Sequence, residues 1–375
     1  MNIKKRIFNC AVSIIKTGYY LVYLRPISAI RLLWNKSKWC THDSYYPQLP
    51  EKSEGRILYD QLMQIVKFKY PNEFYFPYGF DVKSKAEMDE YLHYEPFMRL
   101  RDSRNLKMHS ATAVLRDKLL FGMFTSYYGI ESSKNIAIST NEGLFDLETK
   151  SHVSISEFIS KHRDTDLFVK PIDGECGCGI MHLVIEDGEL TGNGKKLNPY
   201  ELSQILSETR YLLQSTIRQH PQMRLLHPES LNTIRLVTIR NPKTGEPDVF
   251  PSILRIGTGK SIVDNTSQGG LAVGINIENG RLKDFGFYKP SFGTKVSVHP
   301  DSNVKFSEFI IPFFEECKRQ AVFLHSMLPS IHSIGWDIAV GPSGPVFVEG
   351  NDNWEINGPQ ICNGGLKKLF LSYCQ

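Results

Sequence analysis

Residues 166–180 read DLFVKPIDGECGCGI, and this stretch constrains the chain more than any other. Leu167 to Lys170 is a short apolar run ending on a lysine. Pro171, which has no N–H to give a ladder, stops it. Gly174, Gly177 and Gly179 then punctuate a six-residue loop that also holds Glu175. Ile180 to Ile185 is a second β-like run, closed by Asp187-Gly188. Strand, glycine loop, strand predicts a hairpin whose tip exposes backbone N–H groups and carries little side-chain bulk. Such a tip can fold over a polyphosphate, with Lys170 adding positive charge. The competing reading is a loose surface hairpin.

At 375 residues the chain is too long for one ordinary core, so two or three domains or lobes are expected. Four segments are anticipated: a basic N-terminal segment and linker (1–50), a mainly helical region (51–115), a lobe carrying the glycine hairpin (116–213) and a second lobe (214–375). Residues 1–40 hold eight lysines and arginines and no acid. The net charge is +4, so the rest of the chain is mildly acidic, which argues against a nucleic-acid-binding surface. The seven cysteines form no CxxC pair, which makes zinc a poor fit and a reduced, cytoplasmic compartment a good one.

Residues 3–24 combine basic charge with apolar residues at close to helical spacing. Lys16 interrupts the apolar run, which counts against a signal peptide or a membrane span. A basic amphipathic helix suits peripheral contact with an anionic membrane or with a glycosyltransferase, and the alternative is packing on the protein's own body. Residues 56–69 and 84–101 read as helices flanking an aromatic cluster (Phe74, Tyr75, Phe76, Tyr78, Phe80), expected to pack internally rather than bind a ligand. Asp117 predicts the cap of a helix running to Tyr128, with Lys118 in its first turn, where the helix dipole gives a cation no help. β-runs alternate with short helices from 135 to 214. IRLVTIR and VFPSILRIG then predict a hairpin carrying Arg235 and Arg255, and residues 305–327 read as one long helix.

Two motifs mislead. Gly257-Thr-Gly-Lys260-Ser261 lacks the first glycine of a P-loop and precedes a loop, and the GxxGxG of the opening hairpin precedes a strand. The last hairpin is more informative. Asp337 lies on GWDIAV, and Glu349 and Asn351 lie two apart on PVFVEGN, so the latter two share a face. Two carboxylates and an amide oxygen are hard donors suited to Mg²⁺. The other reading of Asp337 and Glu349 is a structural salt bridge to a nearby arginine or lysine.

The ordered set of Asp117-Lys118, Lys170-Pro171, the glycine hairpin, Gln214-x-x-Ile217, Asp337 and Glu349-x-Asn351 resembles an ATP-grasp enzyme over about residues 116–355. HPESLNTIRLVTIRN, DNTSQGGLAVGINIENG and GWDIAVGPSGPVFVEGN further resemble the sugar-transfer-associated ATP-grasp subgroup, related to α-L-glutamate ligases and found in surface polysaccharide biosynthesis. The resemblance implies an α+β fold of two lobes with ATP between them, preceded by a helical N-terminal region. By position, Lys118 and Lys170 would contact ATP phosphates. Backbone at Gly174, Glu175, Gly177 and Gly179 would cover them, and Gln214 with the backbone at Ile217 would form the adenine hinge. Asp337, Glu349 and Asn351 would hold Mg²⁺. Arg255 would stabilise the transferring phosphoryl group, with Arg235 and Asn265 as further candidates. Gln214 replaces the glutamate usual at the hinge. No residue matches the usual ribose-binding acid, for which Glu229 and Asn232 are the nearest candidates. The implied activity is ATP- and Mg²⁺-dependent joining of a small-molecule carboxylate, saccharide-linked, to an amine. A phosphotransferase on the same scaffold and a non-catalytic nucleotide- or glycan-binding accessory are the rivals.

Overall fold

The computed structural model describes residues 19–105, 109–172 and 179–375. The chain divides into two compact units, one of residues 1–100, 287–295 and 355–372, the other of residues 101–286, 296–354 and 373–375.

In the first unit a π-helical turn (Tyr20–Leu24) leads into helix α1 (Arg25–Trp34). Of the amphipathic helix expected at 3–24, residues 3–18 lie outside the described residues. Helix α2 (Glu54–Phe68) starts where Ser53 accepts the Arg56 N–H, and ends where Lys69 turns left-handed at φ +75°. The aromatic cluster after it is internal, with Phe74, Tyr75, Phe76, Tyr78 and Phe80 all buried. Its phenols find partners, as buried hydroxyls must: Tyr75 donates to Asp60 (2.9 Å) and Tyr78 to Asn357 (2.8 Å). Tyr45 donates to the carbonyls of Tyr288 (2.9 Å) and Gly293 (3.1 Å), which fixes the 287–295 segment within this unit.

Two expected helices are shorter than their periodicity suggests, and a proline explains each. The helix read at 84–101 is a single turn (Lys85–Met88) and a separate helix (Tyr94–Asn105). Pro96 is tolerated only in the first turn of a helix, so the chain must restart just before it. The helix read at 305–327 begins at Phe314, because Pro312 biases its predecessor toward extended backbone.

The second unit contains two antiparallel sheets. The first uses β1 (Asn135–Thr140), β2 (Gly143–Asp146), β3 (Ser151–Val153), β4 (Thr165–Pro171), β5 (Met181–Glu186), β6 (Glu189–Gly192), β7 (Lys195–Leu197) and β8 (Tyr211–Ser215). Their order is β3-β2-β1-β8-β4-β5-β6-β7. Period-two alternation gives this sheet two unlike faces. Leu167 and Val169 of β4 join Leu183 and Ile185 of β5 in a core closed by the helices Ile155–Lys161 and Pro199–Ser207. Phe168 and Lys170 therefore point from the opposite face. The glycine-hairpin strands pair as expected, Val169 opposite Met181.

The second sheet uses β9 (Thr233–Arg240), β10 (Pro247–Ile256), β11 (Leu271–Ile275), β12 (Leu282–Phe287), β13 (Lys295–Val296), β14 (Ser333–Gly341) and β15 (Gly344–Asn351). Their order is β13-β12-β11-β10-β9-β14-β15. Helices α3 (His109–Arg116) and α4 (Lys118–Tyr127) pack beside β15. Gly350 makes that close packing possible, since a Cβ there would lie 2.7 Å from Leu115 Cδ2 and 3.3 Å from Phe121 Cε2. Among the described residues no helix is long and apolar enough to cross a membrane.

Candidate active site

Strand register builds the site. Arg235 on β9 stands opposite Asp337 on β14, and Asp337 stands opposite Glu349 on β15. Cross-strand partners share a face, so three strands present one row: cation, anion, acid. A β-bulge between Asp337 and Ile338 re-aims the strand at this point. Arg255 on β10 stands opposite Thr233.

Asp337 is buried and held from two sides. Arg235 donates Nε to Oδ1 (2.5 Å) and Nη2 to Oδ2 (3.0 Å), a fork-to-fork pair. Arg255 Nη2 lies 2.9 Å from Oδ2. Burial would raise the Asp337 pKa, but the two guanidinium groups hold it well below the usual carboxylate range. Burial pushes the Glu349 carboxyl up, and the charge of Asp337 pushes it further. These two acids are hydrogen-bonded to each other, and Asn351 Nδ2 donates to Glu349 Oε1 (3.2 Å). One acid stays ionised between arginines while its neighbour is driven toward the protonated form.

Arg255 has a second carboxylate partner that sequence reasoning missed. Asp264 Oδ2 lies 3.7 Å from Arg255 Nε, and it accepts the Thr233 N–H (2.9 Å) and hydroxyl (2.5 Å). Burial alone would lower the Arg255 pKa, but Asp264, Asp337 and Glu349 together raise it. The available signal was an isolated acid inside the Gly/Ser/Asn-rich loop after β10. Asn265 follows it and caps a 3-10 turn, accepting the Ser267 N–H at 3.0 Å.

Lys170 completes the group from the first sheet. Burial pushes its pKa down to about 8, with Lys118 lowering it further and Glu349 opposing. Lys118 opens α4, where Asp117 accepts the N–H groups of Leu119 and Leu120, and its own N–H reaches the Ile172 carbonyl (3.3 Å). The structure therefore gathers Lys118, Lys170, Arg235, Arg255, Asp337, Glu349 and Asn351, whereas Asn265 is tied to the group only as the residue after Asp264.

The other candidates fall as follows. Gln214 is buried in β8 and spends its Nε2 on Asn135 Oδ1 (2.9 Å). After β8 the Thr216 N–H goes to the Asp166 carbonyl (3.2 Å), whereas among the described residues the Ile217 N–H donates to nothing. Gly179 is left-handed at φ +72°. Gly174, Glu175 and Gly177 lie outside the described residues, as do Cys176 and Cys178. Asn232 is corrected as a ribose ligand: it is fully buried, donates to the Met223 (3.1 Å) and His227 (3.0 Å) carbonyls, and accepts from Ser230 (3.1 Å) and Gly257 (3.3 Å).

Asp337 takes the salt-bridge reading, since Arg235 and Arg255 engage both its oxygens. Glu349 and Asn351 offer oxygen to a hard divalent cation, and a like-charged carboxyl pair in a buried place is relieved by a cation or a proton. Among the described residues no group of three or more His, Cys, Asp or Glu could hold a metal. A site of one carboxylate and an amide suits Mg²⁺, which usually takes few protein ligands and shares the rest with phosphates and water.

Residues 99–372 match the profile of the sugar-transfer associated ATP-grasp family. The chain belongs to that family. A search of curated proteins finds no sequence match. Among solved structures, this ATP-grasp chain is similar to the VanG D-Ala:D-Ser ligase from Enterococcus faecalis, at 15% identity over 70% of this chain and 63% of that one, TM-score 0.41. It is similar to the D-alanine–D-alanine ligase from Bacillus anthracis complexed with ATP, at 12% identity over 70% and 64%, TM-score 0.37. It is also similar to the L-amino acid ligase from Bacillus licheniformis, at 12% identity over 80% and 52%, TM-score 0.37. The match thus spans less than two thirds of each of these chains.

Proposed function

We propose that this ATP-grasp protein is an ATP- and Mg²⁺-dependent carboxylate–amine ligase, joining an amine or amino acid to a saccharide carboxylate in surface polysaccharide biosynthesis. The observation that carries the reading is the meeting of four cations (Lys118, Lys170, Arg235, Arg255) with the Asp337–Glu349–Asn351 oxygens at one place. Phosphoryl transfer asks a protein mainly for alignment and charge neutralisation, and this set supplies both.

In this reading a carboxylate oxygen of the acid substrate attacks the γ-phosphorus of ATP and ADP leaves. The amine nitrogen then attacks the acyl carbon of the acylphosphate, phosphate leaves, and the nitrogen loses a proton. Lys118 and Lys170 bind phosphate oxygens, and the Ile217 N–H donates to the adenine edge. Arg255 faces the charge that builds on the transferring group, its position fixed by Asp264 and Asp337. Glu349 and Asn351, with Asp337 beside them, hold Mg²⁺, which neutralises phosphate charge.

The protein works at the inner face of a membrane. Helix α1 and the turn before it expose Tyr23, Ile30, Leu33 and Trp34 beside Arg25 and Arg31, in a segment without acids. Apolar and aromatic side chains next to cations suit an anionic lipid surface.

The test is ADP release by the purified protein across a panel of amino acids and uronic acids, with mass spectrometry of the products. An amide plus free phosphate, formed only when acid and amine are both present, is the expected result. A stable phospho-product would make the protein a phosphotransferase, and nucleotide binding without turnover on any pair would make it an accessory.

A further inference from the structure

The first sheet carries a groove that the proposed reaction does not use. It holds about 670 Å³ around the turn between β1 and β2, a volume that suits a small ligand. Ile138, Phe145 and Leu206 are its apolar lining, and Asn141, Thr209 and Arg210 are polar groups on it. None of the residues gathered at the candidate active site lines it.

Strand register brings this lining together. Ile138 on β1 stands opposite Phe145 on β2, and Phe145 stands opposite His152 on β3. Cross-strand partners share a face, and the alternate residues Ala137 and Leu144 enter the core on the other one. The three side chains therefore form one row facing away from that core. The Phe145 and His152 rings meet edge to face with centres 5.2 Å apart.

Arg210 is placed by a clamp. The buried Ser139 hydroxyl donates to the Thr209 carbonyl (3.3 Å) and accepts the Tyr211 N–H (2.8 Å), so it grips the chain on both sides of Arg210. The Arg210 carbonyl in turn accepts the Ile172 N–H (3.0 Å). The backbone is fixed, while the side chain is exposed and makes no ion pair or hydrogen bond among the described residues. The Asn141 amide and the Thr209 hydroxyl also lack hydrogen-bond partners among the described residues.

A ring surface, two unengaged hydrogen-bonding groups and one guanidinium fork match a pyranose that bears one acidic group. Its C–H face lies against Ile138 and Phe145, its hydroxyls meet Asn141 and Thr209, and its acid takes the fork. A polyphosphate would ask for more positive charge, since among the described residues Arg210 is the only lysine or arginine on the groove.

We propose that this groove binds an acidic saccharide, with Arg210 holding the carboxylate or phosphate and Phe145 the ring. The site stands on its own lining and does not depend on the ligase reading.

The test uses the full chain. Arg210 is modified with phenylglyoxal and followed by peptide mass mapping in the presence of glucuronate, glucose 6-phosphate, acetate or inorganic phosphate. Protection by either sugar acid at concentrations about tenfold below those at which acetate and inorganic phosphate protect supports the site, and the more effective sugar identifies the acid. Equal protection by the simple anions, or labelling unchanged by every probe, overturns it. Phe145→Ala is expected to raise the half-protecting concentration of the sugar acid about tenfold, and an unchanged concentration overturns the ring contact. Mg²⁺ with ATP is expected to leave Arg210 labelling as it is, and protection by ATP would overturn the assignment by making the groove part of the nucleotide site. A Phe145→Ala protein that does not fold leaves the labelling of the unmutated chain to decide. Failure here leaves the ADP-release test of the ligase reading untouched.

Discussion

Asp337→Asn removes a charge, whereas Glu349→Gln replaces a carboxyl already driven toward its protonated form, and the structure predicts unequal effects on stability. Asp337 carries contacts of 2.5, 3.0 and 2.9 Å from two guanidinium groups. Neutralising it leaves Arg235 without its fork-to-fork partner, and breaking a buried pair from one side costs about 3–5 kcal/mol. Among the described residues Glu349 makes no comparable pair with an arginine. Burial and Asp337 already favour its protonated form, and the glutamine amide can donate to Asp337 in place of that proton. Glu349→Gln is therefore expected to stay within about 1 kcal/mol of wild type or to be more stable. The pH dependence has a definite sign. The Glu349 pKa is raised above its ordinary 4.5, so its contribution to stability is full below that value and lost as pH rises through the folded-state pKa. The advantage of Glu349→Gln over wild type is thus largest at neutral pH and shrinks on acidification. Urea unfolding followed by the fluorescence of buried Trp336 and Trp354 measures both variants. ADP release completes the comparison, since Glu349→Gln should lose about 100-fold in turnover despite its stability. Equal destabilisation by the two substitutions would refute the division of charge argued here. Full Mg²⁺-dependent turnover in Glu349→Gln would refute its place at the metal.

Lys170→Met should weaken ATP binding by about 10-fold or more, read by calorimetry, with no loss of thermal stability, because a half-buried cation is costly to keep. Because the Lys170 pKa is pushed down to about 8, ATP binding near pH 8.5 should take up a proton, whereas binding about two units lower should not. Calorimetry in buffers of different ionisation enthalpy reads this uptake, which should vanish in Lys170→Met. Gly335→Ala would place a Cβ 2.7 Å from Trp354 Cβ and 3.3 Å from Arg235 Cδ, so a loss of about 1–3 kcal/mol is expected in the urea midpoint. Trp34→Glu should reduce co-sedimentation with vesicles containing phosphatidylglycerol and leave ADP release in solution unchanged, and unchanged co-sedimentation would remove α1 from the membrane.

Where the chain makes its structure locally, the sequence could be read. The β4–β5 pair, the Asp117 cap and the β14–β15 hairpin announce themselves through alternation, capping chemistry and turn glycines. Helix ends near Pro96 and Pro312 were misread because apolar spacing continues across the break while the backbone cannot. The short strands β3, β6 and β7 carry little pattern of their own and form by pairing with neighbours. At the site, Asp337 and Glu349 were visible as acids on apolar strands. That Asp337 would lie between Arg235 and Arg255 depends on register across β10, β9, β14 and β15, which spans about a hundred residues of chain. Asp264 was hidden for the same reason, since its partner Thr233 lies on another element.

The row from Arg235 through Asp337 to Glu349 has a bearing on which length changes the chain tolerates. A residue inserted within β9, β14 or β15 between its paired positions would turn the charged side chains beyond it to the opposite face and break the row. The turns between those strands carry no such penalty. Variation in length among relatives should therefore collect in stretches such as the 241–246 turn after β9, while the intervals inside the three strands stay fixed. A relative with a single-residue indel inside β14 would be expected to have lost nucleotide chemistry even if every charged residue were retained.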